Sequence, residues 1–394
     1  MNSLNGRLSS MLAATQAAGR LRRRRAVESR LAGTARARID GREVLVFCSN
    51  DYLGLAADKR VGEALAQAAR SWGLGSGASH LVSGHSREHH ALEEELADFL
   101  GRPRALLFST GYMANLAVGS ALLQPGDRVI EDRLNHASLL DAGRLSGTRF
   151  ARYAHGDVQA LERELSLPQE GAALVVTDGV FSMDGDLAPL PALAEACRRR
   201  DAWLFVDDAH GFGVLGTHGR GSVELDGLDE QDVPVLMCTL GKAVGASGAV
   251  VAGTHDLVEV LIQRARTYMF TTAMPPAVAA ATRVALRLCR EEGWRRERLR
   301  HLVARFRREA GTLGLRLLDS HTPIQPILIG EERAAVAASE ALLDAGLWIA
   351  AIRPPAVPKG SSRLRITLSA VHRDADLDRL MEELSHLVRQ GLLT

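Results

Sequence analysis

Three side chains of this sequence have the types and the spacing that amine chemistry on a carbonyl group requires. Lys242 lies among small residues in Thr239-Leu-Gly-Lys-Ala-Val-Gly245, directly after the apolar stretch 233–238. A buried lysine loses part of its ammonium solvation, so its pKa falls and its neutral amine can form a Schiff base. Asp207 ends another apolar stretch, and His210 follows three residues later. Pyridoxal phosphate (PLP) needs an amine, a carboxylate and an imidazole around it, so we expect PLP as the cofactor.

His136 and Ser182 follow other apolar stretches and could complete the surroundings of the ring. His136 could lie flat on the cofactor, and Ser182 could hydrogen-bond a ring substituent. A single histidine or aspartate in a turn is more often structural, satisfied by the backbone or capping a helix. The interpretation depends on several such side chains following several predicted strands.

A phosphate could bind where Ser109-Thr-Gly-Tyr-Met-Ala-Asn115 joins a predicted strand to a predicted helix. Free backbone N–H groups and the helix dipole both favour an anion there. An ordinary glycine turn with a threonine cap is the alternative, and it is the stronger one on this stretch alone. Thr239 and Thr272 could add hydroxyl groups, although each could equally be a strand or turn residue.

Arg353 could hold a substrate carboxylate. The prolines in Ala351-Ile-Arg-Pro-Pro355 stiffen its loop and fix the direction of the side chain. A planar guanidinium can grip a carboxylate with two hydrogen bonds, and an amino-acid substrate carries such a group. A surface ion pair is the alternative.

Asp178, Asp184 and Asp186 lie close together in one predicted loop and suggest a cation site. Their spacing does not match a calcium-binding loop, which also needs a glutamate at a defined position. We therefore expect no metal.

Short apolar strands alternate with helical patterns and must position these residues. The predicted strands are 105–109, 128–131, 172–177, 203–207, 235–239 and 248–252. Strands that are apolar throughout and separated by helices indicate an α/β fold, with a mostly parallel sheet covered by helices. Ligands gather at the carboxyl ends of such strands, where these polar residues lie.

The two ends of the chain have different patterns. Residues 1 to about 40 predict an amphipathic helix, and a short strand follows at 43–48. After a helix-rich stretch over 275–315, the mixture of strands and helices is typical of a smaller α+β domain. We predict three parts: an N-terminal helical segment (1–45), a large PLP-binding domain (46–285) and a small C-terminal α+β domain (286–394).

The composition excludes several classes of protein. The chain has 394 residues and a net charge of +1, so it has no general attraction to nucleic acid or to a membrane. No apolar stretch reaches the ~20 residues of a membrane span. The cysteines Cys48, Cys197, Cys238 and Cys289 are far apart, which favours a reducing cytoplasm over a disulfide framework.

Six motifs together resemble the α-oxoamine synthases, fold-type I PLP enzymes that condense an amino acid with an acyl thioester and release CO2. The resemblance covers essentially the whole chain. The motifs are Ser49-Asn-Asp-Tyr-Leu-Gly-Leu55, the stretch 75–84, Thr177-Asp-Gly-Val-Phe-Ser-Met-Asp-Gly185, Val206-Asp-Asp-Ala-His-Gly211, Thr239-Leu-Gly-Lys242 and Ala351-Ile-Arg-Pro-Pro355.

The resemblance implies a catalytic role for each matching residue. Lys242 would bind PLP covalently and later move the substrate α-proton. Asp207 would pair with the pyridine nitrogen, and His136 would stack on the ring. His210 and Ser182 would support the phenolic oxygen.

The resemblance also implies binding roles. The phosphate would be held by Gly111, Tyr112, Thr239 and, from the partner subunit, Thr272. Asn50 and Arg353 would orient the substrate carboxylate, and Arg22 would lie near the entrance for the acyl substrate.

Within the family, the match is strongest to the branch that serves biotin biosynthesis. That branch implies condensation of L-alanine with a pimeloyl thioester, on coenzyme A or an acyl carrier protein, in a homodimer with shared active sites. The alternatives are a sister synthase using glycine or serine, an aminotransferase, and a protein that only binds PLP for regulation. Two departures from the family pattern, the histidine-rich stretch 84–90 and Phe212, could alter the acyl pocket or the dimer contact.

Overall fold

The computed structural model describes residues 3–17, 20–22, 24–168 and 170–393. Its strands are β1 (Val27–Arg30), β2 (Arg36–Ile39), β3 (Arg42–Val46), β4 (Arg104–Phe108), β5 (Arg128–Asp132), β6 (Arg149–Tyr153), β7 (Ala173–Asp178), β8 (Trp203–Asp207), β9 (Val235–Thr239), β10 (Ala249–Gly253), β11 (Ile324–Gly330), β12 (Leu347–Trp348), β13 (Ala350–Ile352) and β14 (Ser362–Thr367). Its α-helices are α1 (Leu4–Ala17), α2 (Lys59–Trp72), α3 (Arg87–Leu100), α4 (Gly111–Leu122), α5 (Ala137–Leu145), α6 (Val158–Leu165), α7 (Leu190–Arg199), α8 (Ser222–Leu225), α9 (His255–Arg264), α10 (Arg266–Met269), α11 (Pro276–Glu291), α12 (Trp294–Thr312), α13 (Glu332–Asp344) and α14 (Asp374–Arg389). None of the helices in these ranges is both long and apolar enough to cross a membrane.

A seven-stranded sheet forms the centre of the molecule, in the order β4-β10-β9-β8-β7-β5-β6. β10 runs antiparallel to both of its neighbours, and the other pairs are parallel. Alternate side chains of the strands enter two separate hydrophobic clusters, one on each face, together with side chains of the covering helices. The predicted α/β fold with a mostly parallel, helix-covered sheet is confirmed.

Two smaller sheets lie outside the central one. The first has the order β1-β2-β3-β12, in which β12 pairs in parallel with β3 and so joins the two ends of the chain. The second is antiparallel, in the order β11-β14-β13. Strands and helices mix in the C-terminal part as predicted, while the domain boundaries at residues 45 and 285 stay predictions.

The prediction of one helix over residues 1 to 40 is wrong beyond α1. β1 and β2 follow within this stretch, and the chain reverses at Asp40 and Gly41, whose φ angles are 49° and 72°. An Asp-Gly pair favours a two-residue hairpin turn because that turn needs positive φ at both central positions. No residue of α1 is buried. Residues 1, 2, 18, 19 and 23 of this segment lie outside the described part of the chain.

Candidate active site

The carboxyl ends of the parallel strands bring the predicted polar residues to one edge of the sheet. β7 ends at Asp178, β8 at Asp207 and β9 at Thr239, and Asp178 pairs directly with Asp207. Lys242 lies in the short connection between β9 and β10. This edge holds the candidate active site.

Lys242 is partly buried, and its surroundings lower the pKa of its amine. Its Nζ lies 2.8 Å from Nε2 of His210. Burial lowers the pKa of Lys242 to about 8, and the carboxylates of Asp207 and Asp178 oppose that shift. Near neutral pH a fraction of the amine is therefore unprotonated and can attack a carbonyl carbon.

His210 is buried between Lys242 and Tyr52. Its Nδ1 lies 2.7 Å from the hydroxyl of Tyr52, which donates to Oδ1 of Asn50 at 3.2 Å. Burial, and then the positive charge of Lys242, lower the pKa of His210 well below its usual value, so the ring is neutral. Because the Tyr52 hydroxyl donates to Asn50, we infer that Nδ1 carries the proton and Nε2 accepts from Lys242.

Asp207 is fixed at the end of β8 by two donors. Nδ2 of Asn115 donates to its Oδ2 at 2.7 Å, and the backbone N–H of Ala209 donates to its Oδ1 at 3.0 Å. Asn115 also donates to Oγ of Ser138 at 2.8 Å. Sequence reasoning did not single out Asn115; the signal was an amide side chain in an otherwise apolar helical stretch.

His136 lies at the N-terminus of α5, where its ring is accessible. Its backbone N–H donates to Oδ2 of Asp178 at 2.7 Å, and its Nδ1 lies 2.7 Å from Oγ of Ser138. Partial burial lowers the pKa of His136. Burial and the charge of Asp207 raise the pKa of Asp178 well above its usual value. The site therefore keeps a neutral imidazole beside a carboxyl group whose pKa is raised.

The N-terminus of α4 offers unused backbone donors. The hydroxyl of Thr110 caps the helix by accepting from the N–H of Met113 at 3.2 Å. The N–H groups of Gly111 and Tyr112 have no acceptor among the described residues. The hydroxyl of Tyr112 donates to Asp141. Tyr112 can therefore bind an anion through its backbone N–H group.

Thr239 and Thr272 lie on other segments of the same region. Oγ1 of Thr239 donates to the carbonyl of Gly248 at 3.2 Å and accepts from the N–H of Gly241. The carbonyl of Thr272 accepts from the hydroxyl of Ser109 at 3.5 Å within the same chain. Contribution of the Thr272 side chain to a neighbouring subunit stays a prediction.

Arg365, on β14, ties the smaller sheet to the site. Its Nε donates to the carbonyl of Ser182 at 2.6 Å, and its Nη1 donates to Oδ1 of Asn50 at 3.2 Å. Asn50 thus reaches His210 through Tyr52. Sequence reasoning missed both Arg365 and Tyr52, because their contacts join residues that are far apart in the chain.

Arg353 and Arg22 are brought near each other by the N-terminal segment. Nη2 of Arg353 donates to the carbonyl of Leu21 at 3.3 Å, and the exposed Arg22 is the next residue. Arg20 forms an ion pair with Glu332 at 3.1 Å and holds the same segment against α13. Both predicted substrate-binding arginines therefore belong to one surface of the molecule.

The three aspartates of the 178–186 loop have different partners. Asp184 pairs with Arg363 from β14, and Asp186 accepts from Nε2 of His155 at 2.8 Å. Nδ1 of His155 lies 3.0 Å from Oδ1 of Asp132. The contacts of Asp184 and Asp186 hold the loop that carries Ser182 in place. Sequence reasoning did not single out His155.

The donor set at this edge fits PLP. An amine with a lowered pKa, the unused N–H groups at the start of α4 and the fixed carboxylate of Asp207 match an aldehyde, a phosphate and a pyridine nitrogen. Oδ1 of Asn115 is buried without a partner, so the polar cluster around Asp207 is incomplete by itself.

Comparisons with known proteins agree with this geometry. The model of the family "Aminotransferase class I and II" matches residues 42–384. The chain is 59% identical to the 8-amino-7-oxononanoate synthase of Thioalkalivibrio sulfidiphilus over 97% of each chain. It is 57% identical to the enzyme of that name from Cellvibrio japonicus, over 98% of this chain and 96% of the relative. A serine palmitoyltransferase variant from S. paucimobilis with bound PLP-myriocin aldimine superposes with a TM-score of 0.94, at 30% identity over 99% of each chain.

Proposed function

Because the chain belongs to the aminotransferase class I and II family and, within it, to the 8-amino-7-oxononanoate synthases, we propose that the pocket around Lys242 is their active site. The protein is a PLP-dependent acyltransferase. It condenses L-alanine with a pimeloyl thioester and yields 8-amino-7-oxononanoate, CO2 and the free thiol carrier in biotin biosynthesis. The observation that carries the site assignment is the partly buried amine of Lys242, whose pKa is lowered to about 8 beside Asp207.

PLP, when bound, withdraws electrons from the substrate carbon next to the amino nitrogen. Lys242 holds the cofactor and then removes and returns the proton at that carbon. Asp207, fixed by Asn115, would pair with the pyridine nitrogen and so keep the ring positive. His136, whose pKa is lowered, would lie against the cofactor and could donate a hydrogen bond to the thioester oxygen as that oxygen becomes negative.

His210 and Ser182 support the phenolic oxygen of the cofactor. Nε2 of His210 already faces Lys242 at 2.8 Å, and Tyr52 fixes the other side of the ring. The phosphate would be held by the N–H groups of Gly111 and Tyr112, with hydroxyl groups from Thr239 and from Thr272 of the partner subunit.

Substrate binding is assigned to residues from both ends of the chain. Asn50 and Arg353 orient the carboxylate of alanine, and Arg22 lies near the entrance for the pimeloyl chain. The contact between Arg353 and Leu21 supports this, because it brings the Arg22 segment to the arginine loop. Domain boundaries after residues 45 and 285 would separate these parts.

The active enzyme is a homodimer with shared active sites. Exposed apolar side chains lie beside Thr272, at Phe270, and on the segment that pairs with Thr272 at Ser79, at Leu74, Leu81 and Val82. Apolar side chains that are exposed together in this way favour burial against another protein surface. The acyl carrier is coenzyme A or an acyl carrier protein.

A cytoplasmic location is part of the proposal. All four cysteines of the chain are free thiols, and three of them are buried. Unpaired cysteines are typical of a reducing compartment.

A product assay by mass spectrometry tests the function. PLP-loaded enzyme receives pimeloyl-CoA with alanine, glycine or serine in separate reactions. A product with the mass of 8-amino-7-oxononanoate from alanine alone, with release of CO2, is expected. Turnover only with glycine or serine and another acyl thioester would move the chain to a sister synthase. If pimeloyl-CoA gives no product, pimeloyl-acyl carrier protein is the next donor.

A further inference from the structure

A histidine cluster lies apart from the residues around Lys242. Of the 13 histidines in the chain, four are His80, His85, His89 and His90. His85 directly precedes Ser86, the N-cap of α3, and the first turns of α3 carry His90 and Glu93 on one face. The potential ligand atoms of His85, His90 and Glu93 all lie within 4.8 Å of one another.

His89 is already committed to hydrogen bonds. Its Nδ1 accepts from the backbone N–H of Ser86 at 3.0 Å, and its Nε2 lies 2.7 Å from the carbonyl of Met274. Neither nitrogen is left for an ion. The alternative group of His80, His85 and His89 therefore does not form a binding site, although its atoms are equally close.

His80 orients the ring of His85. The two Nδ1 atoms are 3.0 Å apart, so one of them carries the shared hydrogen. His80 is itself stacked on Tyr268, with ring centroids 4.9 Å apart and planes 12° from parallel. If His85 donates from Nδ1 to His80, its Nε2 keeps a free lone pair. A second residue that fixes a ligand histidine in this way is common in metal sites.

Glu93 presents one oxygen to the same place. Its Oε1 accepts from the backbone N–H of Leu107 at 2.9 Å, which leaves the other carboxylate oxygen available. His85, His90 and Glu93 line a cavity of about 270 Å³ that also borders Tyr268 and Arg104. The cavity has room for an ion and its water ligands.

We propose that His85, His90 and Glu93 bind a divalent transition-metal ion, with water in the remaining position. Two imidazole nitrogens and one carboxylate oxygen are a ligand set that suits Zn²⁺. The site would join the π-helical turn His80–Gly84 to α3, next to the bridge between Ser79 and Thr272. It is independent of the proposed catalytic residues and departs from the sequence-based expectation of no metal.

Zinc titration of the untagged, full-length, PLP-loaded enzyme tests the proposal. After chelator treatment, Zn²⁺ is added in competition with a chromogenic chelator. One Zn²⁺ per chain is expected. His90→Gln and Glu93→Gln should each weaken binding by about tenfold or more. Glu93→Gln keeps an oxygen for the N–H of Leu107, so the fold is preserved. His321→Gln, at an exposed histidine elsewhere, is the matched control and should bind like the wild type.

Thermal melting gives a second readout. Zn²⁺ should raise the Tm of the wild type and of His321→Gln, and should raise that of His90→Gln by less at the same concentration of Zn²⁺. Equal zinc affinity in the wild type, His90→Gln and Glu93→Gln would overturn the proposal, as would no binding by the wild type. Condensation activity without zinc should be unchanged in every variant, so failure of this site is distinguishable from failure of the proposed function.

Discussion

Lys242 is surrounded by groups whose effects on its charge oppose one another. Burial favours the neutral amine, whereas the carboxylates of Asp207 and Asp178 favour the ammonium form. Burial is the larger effect and holds the pKa at about 8. His210 cannot compensate by taking the proton, because its own pKa is lowered well below the usual value. Of Lys242 and His210, the amine is therefore the group whose pKa lies nearer to neutral pH.

The rate at which the apoenzyme binds PLP covalently should follow this titration. The neutral amine is the nucleophile, so the rate should rise with pH and level off above about pH 8. Between pH 7 and pH 8 the neutral fraction, and hence the rate, should increase about fivefold. Stopped-flow absorbance after mixing apoenzyme with PLP measures it. Lys242→Ala should stay folded but form no covalent complex and have no activity; a flat pH profile would contradict the assignment.

Asn115 positions the carboxylate that pairs with the cofactor. Asn115→Ala removes the 2.7 Å hydrogen bond to Asp207 and the 2.8 Å bond to Ser138, so PLP affinity should fall by about 10- to 100-fold. Fluorescence titration of the apoenzyme with PLP measures the affinity. Ser120→Ala is the matched control on the same helix, because Ser120 bonds only to backbone carbonyls of α4. Equal affinity of Asn115→Ala and wild type would show that Asp207 does not need this support.

The residues that sequence reasoning identified end strands or lie shortly after them. Asp207 and Thr239 stand at the last positions of apolar runs, and the parallel sheet places such positions on one edge. Asn115, Tyr52 and Arg365 were missed for a physical reason. They act through side-chain hydrogen bonds between segments distant in sequence, and spacing along the chain carries no information about such contacts.

At the scale of elements, His155 connects β5 by hydrogen bonds to the loop that carries Ser182. It bridges Asp132 at the end of β5 and Asp186 in the loop. The hydrogen bonds to these two carboxylates raise the pKa of His155 to about 10. The ring is therefore protonated at neutral pH and stands edge-on to Phe181, with centroids 4.4 Å apart.

His155→Gln should destabilise the enzyme in a pH-dependent way. A pKa raised in the folded state adds stability that is complete below the ordinary histidine value of about 6.5 and is lost as pH rises through about 10. Urea unfolding should show a loss of about 2 kcal/mol at pH 6 and a much smaller loss at pH 10. The control is His218→Gln, which removes the contact of the exposed His218 side chain with Glu224 and should cost less than about 0.5 kcal/mol. A loss of stability that does not depend on pH would show that a protonated His155 does not stabilise the fold through Asp132 and Asp186.

Most elements of the central sheet could be predicted because buried parallel strands are apolar throughout. The N-terminal segment could not. There β1 is exposed on every residue, so no alternation of apolar and polar residues marks it as a strand. β1 pairs with β2 and β3 pairs with β12 through hydrogen bonds between strands. The pairing of β3 with β12 joins residues about 300 positions apart in the chain.

At the scale of the whole molecule, one face carries strongly exposed apolar side chains. Phe270 is 68% exposed and Leu74 is 90% exposed. The backbone joins the two segments, because the N–H of Ala273 donates to the carbonyl of Ala78 at 3.0 Å. This face therefore contains both the exposed apolar side chains and Thr272, the residue predicted to contact the active site of a neighbouring subunit.

Phe270→Glu should convert the proposed dimer into a monomer and weaken PLP binding as well. A charge in the middle of an apolar interface must be desolvated without a partner, which costs several kcal/mol. Sedimentation velocity measures the assembly, and fluorescence titration measures the PLP affinity. Leu145→Glu is the matched control, since Leu145 is 70% exposed at the far end of α5 and should stay dimeric with normal affinity. Thr272→Ala should separate the two effects by weakening PLP binding in a protein that remains a dimer. A dimeric Phe270→Glu, or a monomer with normal PLP affinity, would contradict shared active sites across this face.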